Sequence, residues 1–338
     1  APVVQSVSRE LVYAFKAGKR WKIVDARQRD YLLRNEGQTF RDVTEEAGID
    51  TDAYYHGLSA TWWDHDNDGD DDLYVGNDFW DPDYLYRNNG DGTFTNVIRE
   101  SVPHTPWFSM GSDAADINND GWLDLLAADM SATTHLKQKT MMGAMGAATW
   151  FFETADPPQY MRNALYLNSG TPRFGEIAYQ AGVASTDWTW SVKFGDLDND
   201  GFVDLYVTNG TVRSLMDSDL DIELSRLHEK LFPNRSPESL SPEEQKRLVI
   251  ERWIEVARTP PRREADLAFR NLGADRLRFA RKDDWGLGDE AISFGAALAD
   301  LDRDGDLDVI VNRTGGTKGV YRNDAATVLG RLIRSLPR

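Results

Sequence analysis

The chain has 338 residues, a formal charge of −18 and no cysteine, which excludes disulfides and thiolate metal sites and argues against nucleic acid as a partner. Hydrophobic residues make up 41% of it, with 11 Trp, 12 Tyr and 14 Phe, enough to build a core and too many for wholesale disorder. No apolar run reaches the roughly 18 residues that a transmembrane helix needs, and the Ala1–Pro2 start suits a mature product whose leader was removed, or a trimmed chain.

Residues 1–30 read as an N-terminal segment, with Val3–Val7 as a strand that would close a ring of repeated units and Trp21–Asp25 as the remnant of a degenerate unit. From there on, one acidic pattern recurs. The first copy runs Asp64, Asp66, Asp68, Gly69, Asp70, Asp72. The second runs Asp116, Asn118, Asp120, Gly121, Trp122, Asp124. The third runs Asp196, Asp198, Asp200, Gly201, Phe202, Asp204, and the fourth Asp300, Asp302, Asp304, Gly305, Asp306, Asp308. Each fits D-x-[DN]-x-D-G-x-x-D. Like charges this close repel unless water or a cation neutralises them, and solvated acidic runs do not repeat a glycine at a fixed place. Side-chain oxygens at positions one, three and five, with the backbone carbonyl of position seven, can wrap a hard cation, and the glycine at position six permits the turn. The closing carboxylate comes at position nine. An all-oxygen, carboxylate-rich shell suits Ca²⁺ better than Zn²⁺ or copper, so about four calcium ions are expected.

Each loop leads into an apolar, largely β-branched or aromatic run, such as Leu73-Tyr74-Val75 or Leu205-Tyr206-Val207, the mark of a buried strand. A second signature is locked to the first. It ends on Asn35, Asn88, Asn168, Asn271 and Asn323, and a phenylalanine follows the first four: Phe40, Phe94, Phe174 and Phe279. From each asparagine to the next loop is 28 or 29 residues, and the undisturbed return is 23 or 24. A period near 52 that holds about four short strands is a propeller-blade signature. One strand precedes the loop, one follows it, the asparagine stretch is the third and the phenylalanine stretch the fourth. The expected fold is an all-β propeller of about five four-stranded blades, or four with fragments, over residues 31–325.

Two units carry insertions. That at 129–160 holds Met130, Met141, Met142, Met145, Trp150, Phe151 and Phe152 and reads as core or as an adaptable binding surface. That at 211–264 reads as helical. Ser241-Pro242-Glu243-Glu244 is a helix start, and Leu248, Val249, Trp253, Ile254 and Val256 form an apolar stripe, either packed on the propeller or free to dock a partner. Residues 326–338 are a basic tail. His65, at a non-ligand position of the first loop, is expected in solvent.

These loops and asparagine stretches resemble the FG-GAP/VCBS repeats of integrin α-subunit propellers and their bacterial relatives. "QYMRNALYLNSG", "AGVASTDWTWS" and "DLYVTNG" resemble in particular the bacterial cartilage-acidic-protein type, in which such repeats precede an ASPIC/UnbV module. No such module follows Asn323. The resemblance implies a β-propeller, calcium in the blade loops and an extracytoplasmic location, whether periplasm, cell surface or secreted. It implies no catalytic residue, and no nucleophile motif is visible. The expected role is a non-enzymatic module that binds protein or glycan, with Trp62, Trp63, Trp80, Trp107, Trp188 and Trp190 as candidates to stack on sugars. The alternatives are a structural subunit docked on a larger, membrane-associated complex, and a Ca²⁺-dependent polysaccharide lyase or hydrolase.

Overall fold

A computed structural model describes residues 3–7, 10–17, 20–25, 30–50, 56–79, 81–141, 155–214, 216–316 and 319–325. The fold is mostly β and propeller-like. Four antiparallel sheets follow one another along the chain. Sheet I comprises Gly57–Trp63, Asp72–Asn77, Tyr84–Asn88 and Phe94–Asn96. Sheet II comprises Ser112–Ala115, Asp124–Ala127, Ala164–Leu167 and Gly175–Glu176. Sheet III comprises Asp187–Gly195, Asp204–Asn209, Leu267–Asn271 and Phe279–Arg281, with Met130–Ser131 added on its first strand. Sheet IV has Ser293–Ala299, Asp308–Arg313 and Gly319–Tyr321. Within each sheet neighbours in sequence are neighbours in space, as a meander requires, and each acidic loop is the turn between the first two strands.

The second strand of each of sheets I to III is buried on both faces, which explains its continuous apolar run; in sheet IV Val309 and Val311 are buried while Ile310 is half-buried and Asn312 exposed. One face packs on the preceding unit and the other on the next. Leu125 and Tyr166 of sheet II join Trp63, Tyr74 and Leu85 of sheet I, while Leu126 and Leu165 join Leu205, Val207 and Phe269 of sheet III. Sheet III passes Tyr206 and Ala268 to Val309 and Val311 of sheet IV. Ahead of sheet I, Leu33–Asn35 and Phe40–Asp42 form a two-stranded pair.

Five residues before each acidic loop stands a small residue, Ser59, Gly111, Ser191 or Gly295, and at one of these positions it has a steric reason. A Cβ on Gly111 would lie 2.6 Å from the carbonyl oxygen of Trp190 and 2.9 Å from Cα of Ser191, on sheet III. Gly295, its counterpart in sheet IV, has nothing within 4 Å. Backbone cannot yield as a side-chain end can, so Gly111→Ala is expected to cost about 2 kcal/mol through overpacking, while Gly295→Ala stays near neutral. Thermal melts of the two variants check this, and equal shifts would remove the close-approach explanation.

Several expectations change. Val3–Val7 pairs with Glu10–Ala17, which pairs with Arg20–Asp25. Within the described residues this three-stranded sheet stands alone, so Val3–Val7 does not serve as the missing strand of sheet IV. The insertion at 211–264 is helical as expected, Ser218–Leu231 and Pro242–Arg258. Ser241 caps the second helix in a reciprocal box: Glu244 N–H donates to its hydroxyl at 3.4 Å and its own N–H donates to the Glu244 carboxylate at 2.8 Å. The apolar stripe is not uniformly packed: Leu248 is buried, whereas Trp253 and Ile254 are 56% and 41% exposed. In the other insertion, His135–Met141 is a helix, and Met130 and Met141 are core, packed with Trp107, Phe108 and Trp188. Met142, Met145, Trp150, Phe151 and Phe152 lie outside the described residues, as do Trp80 and the tail 326–338.

Candidate metal sites

All four acidic loops share one hydrogen-bonded scaffold. The position-one aspartate accepts two backbone amides. Asp64 takes those of Asp68 and Gly69 at 3.2 and 3.0 Å, and Asp116 those of Asp120 and Gly121 at 3.0 and 2.8 Å. Asp196 takes those of Asp200 and Gly201 at 3.1 and 2.9 Å, and Asp300 those of Asp304 and Gly305 at 3.1 Å each. The position-five carboxylates of Asp68, Asp120, Asp200 and Asp304 accept the amides of Asp70, Trp122, Phe202 and Asp306. Positions four and six hold left-handed backbone: Asn67, Asn119, Asn199 and Arg303 at φ 56–65°, and the four glycines at 90–96°. Glycine is the residue that accepts this without strain, and asparagine the next best.

This turn folds the carboxylates onto one centre. Ligand oxygens of Asp64, Asp66 and Asp68 lie within 4.8 Å of one another, as do those of Asp196, Asp198 and Asp204 and those of Asp300, Asp302 and Asp304. In the second loop Asn118 brings an amide instead, whose Nδ2 donates to Asp120 at 2.9 Å. The donor set is hard oxygen throughout, which fits Ca²⁺. Oδ1 of Asp198 is buried with no hydrogen-bond partner, and burial raises the Asp198 carboxyl above its ordinary range. An orphaned, desolvated oxygen on a carboxylate that clusters with two more carboxylates suits a cation. Arg270 stands at this loop as well, 2.5 Å from Asp198 and 2.8 Å from Asp200; at the second loop the matching residue is Leu167.

The position-nine aspartates are different. Asp72, Asp124, Asp204 and Asp308 are almost fully buried, and each spends both oxygens on backbone. Oδ1 takes the amide of the strand-three asparagine: Asn88 at 2.7 Å, Asn168 at 2.7 Å, Asn271 at 2.8 Å and Asn323 at 2.8 Å. Oδ2 takes the amide of loop position two: His65 at 3.0 Å, Ile117 at 3.0 Å, Leu197 at 2.9 Å and Leu301 at 2.9 Å. Burial pushes Asp124 and Asp204 up to about 7 despite those bonds. In the first loop the His65 ring nitrogen also bonds Asp72, and with the two amides it outweighs burial and holds that carboxyl below its ordinary range. His65 is therefore buried, against Trp63 and Phe174, and not in solvent.

Side chains of the asparagines run from sheet to sheet. Nδ2 of Asn168, Asn271 and Asn323 donates at 2.7 Å to the carbonyl of His65, Ile117 and Leu197, position two of the preceding loop. In the other direction, Asn67 and Asn119 donate to the glycine carbonyls of the next loop, Gly121 and Gly201. The loops are thus one connected chain of contacts along one rim.

The tryptophans proposed to stack on sugars are mostly core. Trp63, Trp107 and Trp188 are buried and Trp190 half-buried, its Nε1 donating to the Gly210 carbonyl; Trp62 alone of the described set is exposed. Among the described residues no helix is long and apolar enough to cross a membrane.

Among solved structures, that of an Agrocybe aegerita lectin, described as specifically recognising non-reducing terminal N-acetylglucosamine, aligns over 94% of this chain and 63% of its own at TM-score 0.42 and 15% identity. The Photorhabdus luminescens Tc holotoxin pore aligns over 96% of this chain and 11% of its own at TM-score 0.34 and 13% identity. No curated protein matches the sequence. In sequence, residues 64–127 and 154–207 match the FG-GAP-like repeat, so the chain carries FG-GAP-like repeats across sheets I to III.

Proposed function

We propose that the chain is a calcium-stabilised β-propeller of about five blades, four of them sheets I–IV, that works outside the cytoplasm as a non-enzymatic module binding protein or glycan. The observation that carries this reading is the repetition of one loop scaffold four times, with carboxylate oxygens gathered on a common centre in three of them. Asp64, Asp66 and Asp68, Asp116, Asn118 and Asp120, Asp196, Asp198 and Asp200, and Asp300, Asp302 and Asp304 would hold the ions, helped by the carbonyls of position seven and the closing aspartates. Calcium would supply charge neutralisation and a rigid turn. The chain's own part is to fix the loop through backbone amides, and the frame then holds the inter-strand loops in place, where recognition by propellers is built. Extracellular modules bind Ca²⁺ at about 10⁻⁴ to 10⁻³ M, a range that is filled outside the cytosol.

An ion that binds only the folded state stabilises by mass action. Adding 10 mM-range calcium (about ten to a hundred times such a Kd) is expected to raise stability by about 1.4–2.7 kcal/mol per occupied loop, read as an upward shift of the melting temperature that excess chelator reverses. A melt indifferent to calcium and chelator would sink the metal reading. A glycan and protein panel tests the rest: retention without product supports a binding module, and product release would establish the enzyme alternative. The exposed Ile222, Ile250, Trp253 and Ile254 on the helical insertion favour a second reading, a subunit that docks through those helices; deletion of 211–264 that leaves a native-size complex intact would dismiss it.

A further inference from the structure

Two junctions between sheets are built on the same kind of buried carboxylate. Asp83 and Asp266 each stand one residue before a third strand, in sheets I and III. Each takes three donors from matching places. Asp83 accepts the amide of Asn77 at 2.8 Å, the hydroxyl of Ser109 at 2.8 Å and the hydroxyl of Tyr74. Asp266 accepts the amide of Asn209 at 2.9 Å, the hydroxyl of Ser293 at 2.9 Å and the hydroxyl of Tyr206 at 3.2 Å. The two junctions differ in what the next sheet adds. Five residues past the position-nine aspartate, sheet IV has Arg313 and sheet II has Asp129. Arg313 brings Nη2 to 3.5 Å from Asp266 and so compensates a buried charge. Asp129 adds another carboxylate instead. Asp83 and Asp129 are both completely buried; burial is what raises Asp83 most, and repulsion by Asp129 adds to it.

We propose that the junction of sheets I and II holds a hard divalent cation of the Ca²⁺ class where the junction of sheets III and IV has the Arg313 guanidinium, with Asp129 and Asp78 binding it and Asp83 adding charge. Oδ1 of Asp129 is buried without a hydrogen-bond partner, and so is Oδ1 of the half-buried Asp78. Both acids meet the same residue: Oδ2 of Asp129 accepts the Phe108 amide at 3.2 Å, and Asp78 is bridged to Phe108 by backbone pairing. Two neutral side chains repeat the signal. Oγ1 of Thr105 and Oε1 of Gln159 are also buried without a partner, on residues that are 0% and 2% exposed. Thr105 and Gln159 are register partners, on the strand that leads directly to Trp107 and Phe108. Carboxylate, amide and hydroxyl oxygens are hard donors of the kind Ca²⁺ takes, and each one left dry and unpaired costs the fold. Among the described residues these carboxylates are not gathered within 4.8 Å of one another as the loop aspartates are, which fits an ion that keeps water among its roughly six to eight ligands. The site lies at the far end of the second strands from the acidic loops, so it does not rest on the ions of those loops.

Equilibrium dialysis of the full chain against Ca²⁺ tests this, at pH 8, above the value of about 7 to which burial pushes Asp83 and Asp129, so that protons do not compete. Asp129→Asn keeps an acceptor for the two amides and is expected to bind one ion fewer per chain than the parent. Asp200→Ala, in a loop, loses a different ion, so the double variant loses two. When calcium replaces chelator, the urea midpoint of Asp129→Asn is expected to rise less than that of the parent. Asp78→Asn gives an independent reading on a less buried group: about a tenfold weaker affinity for the same ion. Equal calcium counts for the parent and Asp129→Asn, or an equal rise in midpoint, would overturn the proposal and leave water or a proton at the junction. An ion lost with Asp129→Asn in a protein whose loops take up none would uphold it while removing calcium from the loops.

Discussion

Asp204→Ala is expected to destabilise the protein by about 3–5 kcal/mol even in the presence of a chelator. The Asp204 carboxylate is completely buried and takes the amides of Asn271 at 2.8 Å and Leu197 at 2.9 Å. Alanine leaves two buried N–H groups without an acceptor, at about 1–3 kcal/mol each, and leaves a small cavity besides. The damage spreads, because Asn271 is also the residue whose Nδ2 holds the Ile117 carbonyl of the preceding loop. Asp200→Ala behaves differently. Asp200 is exposed, and it holds one turn amide and one guanidinium of Arg270, an exposed pair worth about 1 kcal/mol or less. Its loss is small in chelator and grows when calcium is supplied. Urea midpoints of both variants with and without calcium separate the two roles. If the two variants lose the same stability in chelator, the distinction between a structural latch and an ion ligand fails.

That distinction marks where the sequence stops being informative. The spacing of Asp196, Asp198, Asp200, Gly201 and Asp204 identifies a cation-type turn because the chemistry of such a turn is local. It gives all four carboxylates one role, since nothing in the spacing says that Asp204 points at two amides, one of them 67 positions away. The strand order was legible for the same local reason: apolar runs on either side of a loop pair with each other. Contacts between sheets were not, because Asn271 meets Ile117 across 154 positions. Some signals were present and unused. Position two of the loops reads His65, Ile117, Leu197 and Leu301; Ile117 and Leu197 face inward and His65 is buried as they are, whereas Leu301, in the last loop, is exposed. Position four reads Asn67, Asn119, Asn199 and Arg303. Asn67 and Asn119 reach the next loop, and Asn199 reaches Asp306 of the fourth; Arg303 has no following loop among the described residues. Trp62 and Trp63 are adjacent on one strand, so only one of them can face solvent.

Asp129→Asn is expected to stabilise the protein at pH 8, by about 2 kcal/mol, and to bring little or nothing at pH 5. Asp129 is fully buried at the end of the second strand of sheet II. Its Oδ2 accepts the amides of Trp107 at 2.7 Å and Phe108 at 3.2 Å. Burial is the largest influence on it, and the carboxyl is pushed up to about 7, with Asp78 adding repulsion. Asp83, its buried neighbour, is pushed up to about 7 in the same way. A carboxyl raised from its ordinary value near 4 binds its proton more tightly folded than unfolded. Stability is therefore greatest below the unfolded value and is lost as pH rises from about 4 to about 7, at up to about 1.4 kcal/mol per pH unit per group. At pH 8 the ionised Asp129 charge stays buried and costs the fold close to the full difference, about 3–4 kcal/mol from this group as an upper bound. Asparagine removes the charge and keeps an acceptor for the two amides. Its NH₂ then sits where Asp129 Oδ1 has no hydrogen-bond partner, which takes back about 1 kcal/mol or more. The measurement is the difference in urea midpoint between the variant and the parent at pH 5 and at pH 8, in chelator, so that the titration of the loop carboxylates cancels. A difference that does not grow between the two pH values would mean that Asp129 is ionised at no cost, and that water or a cation reaches its Oδ1.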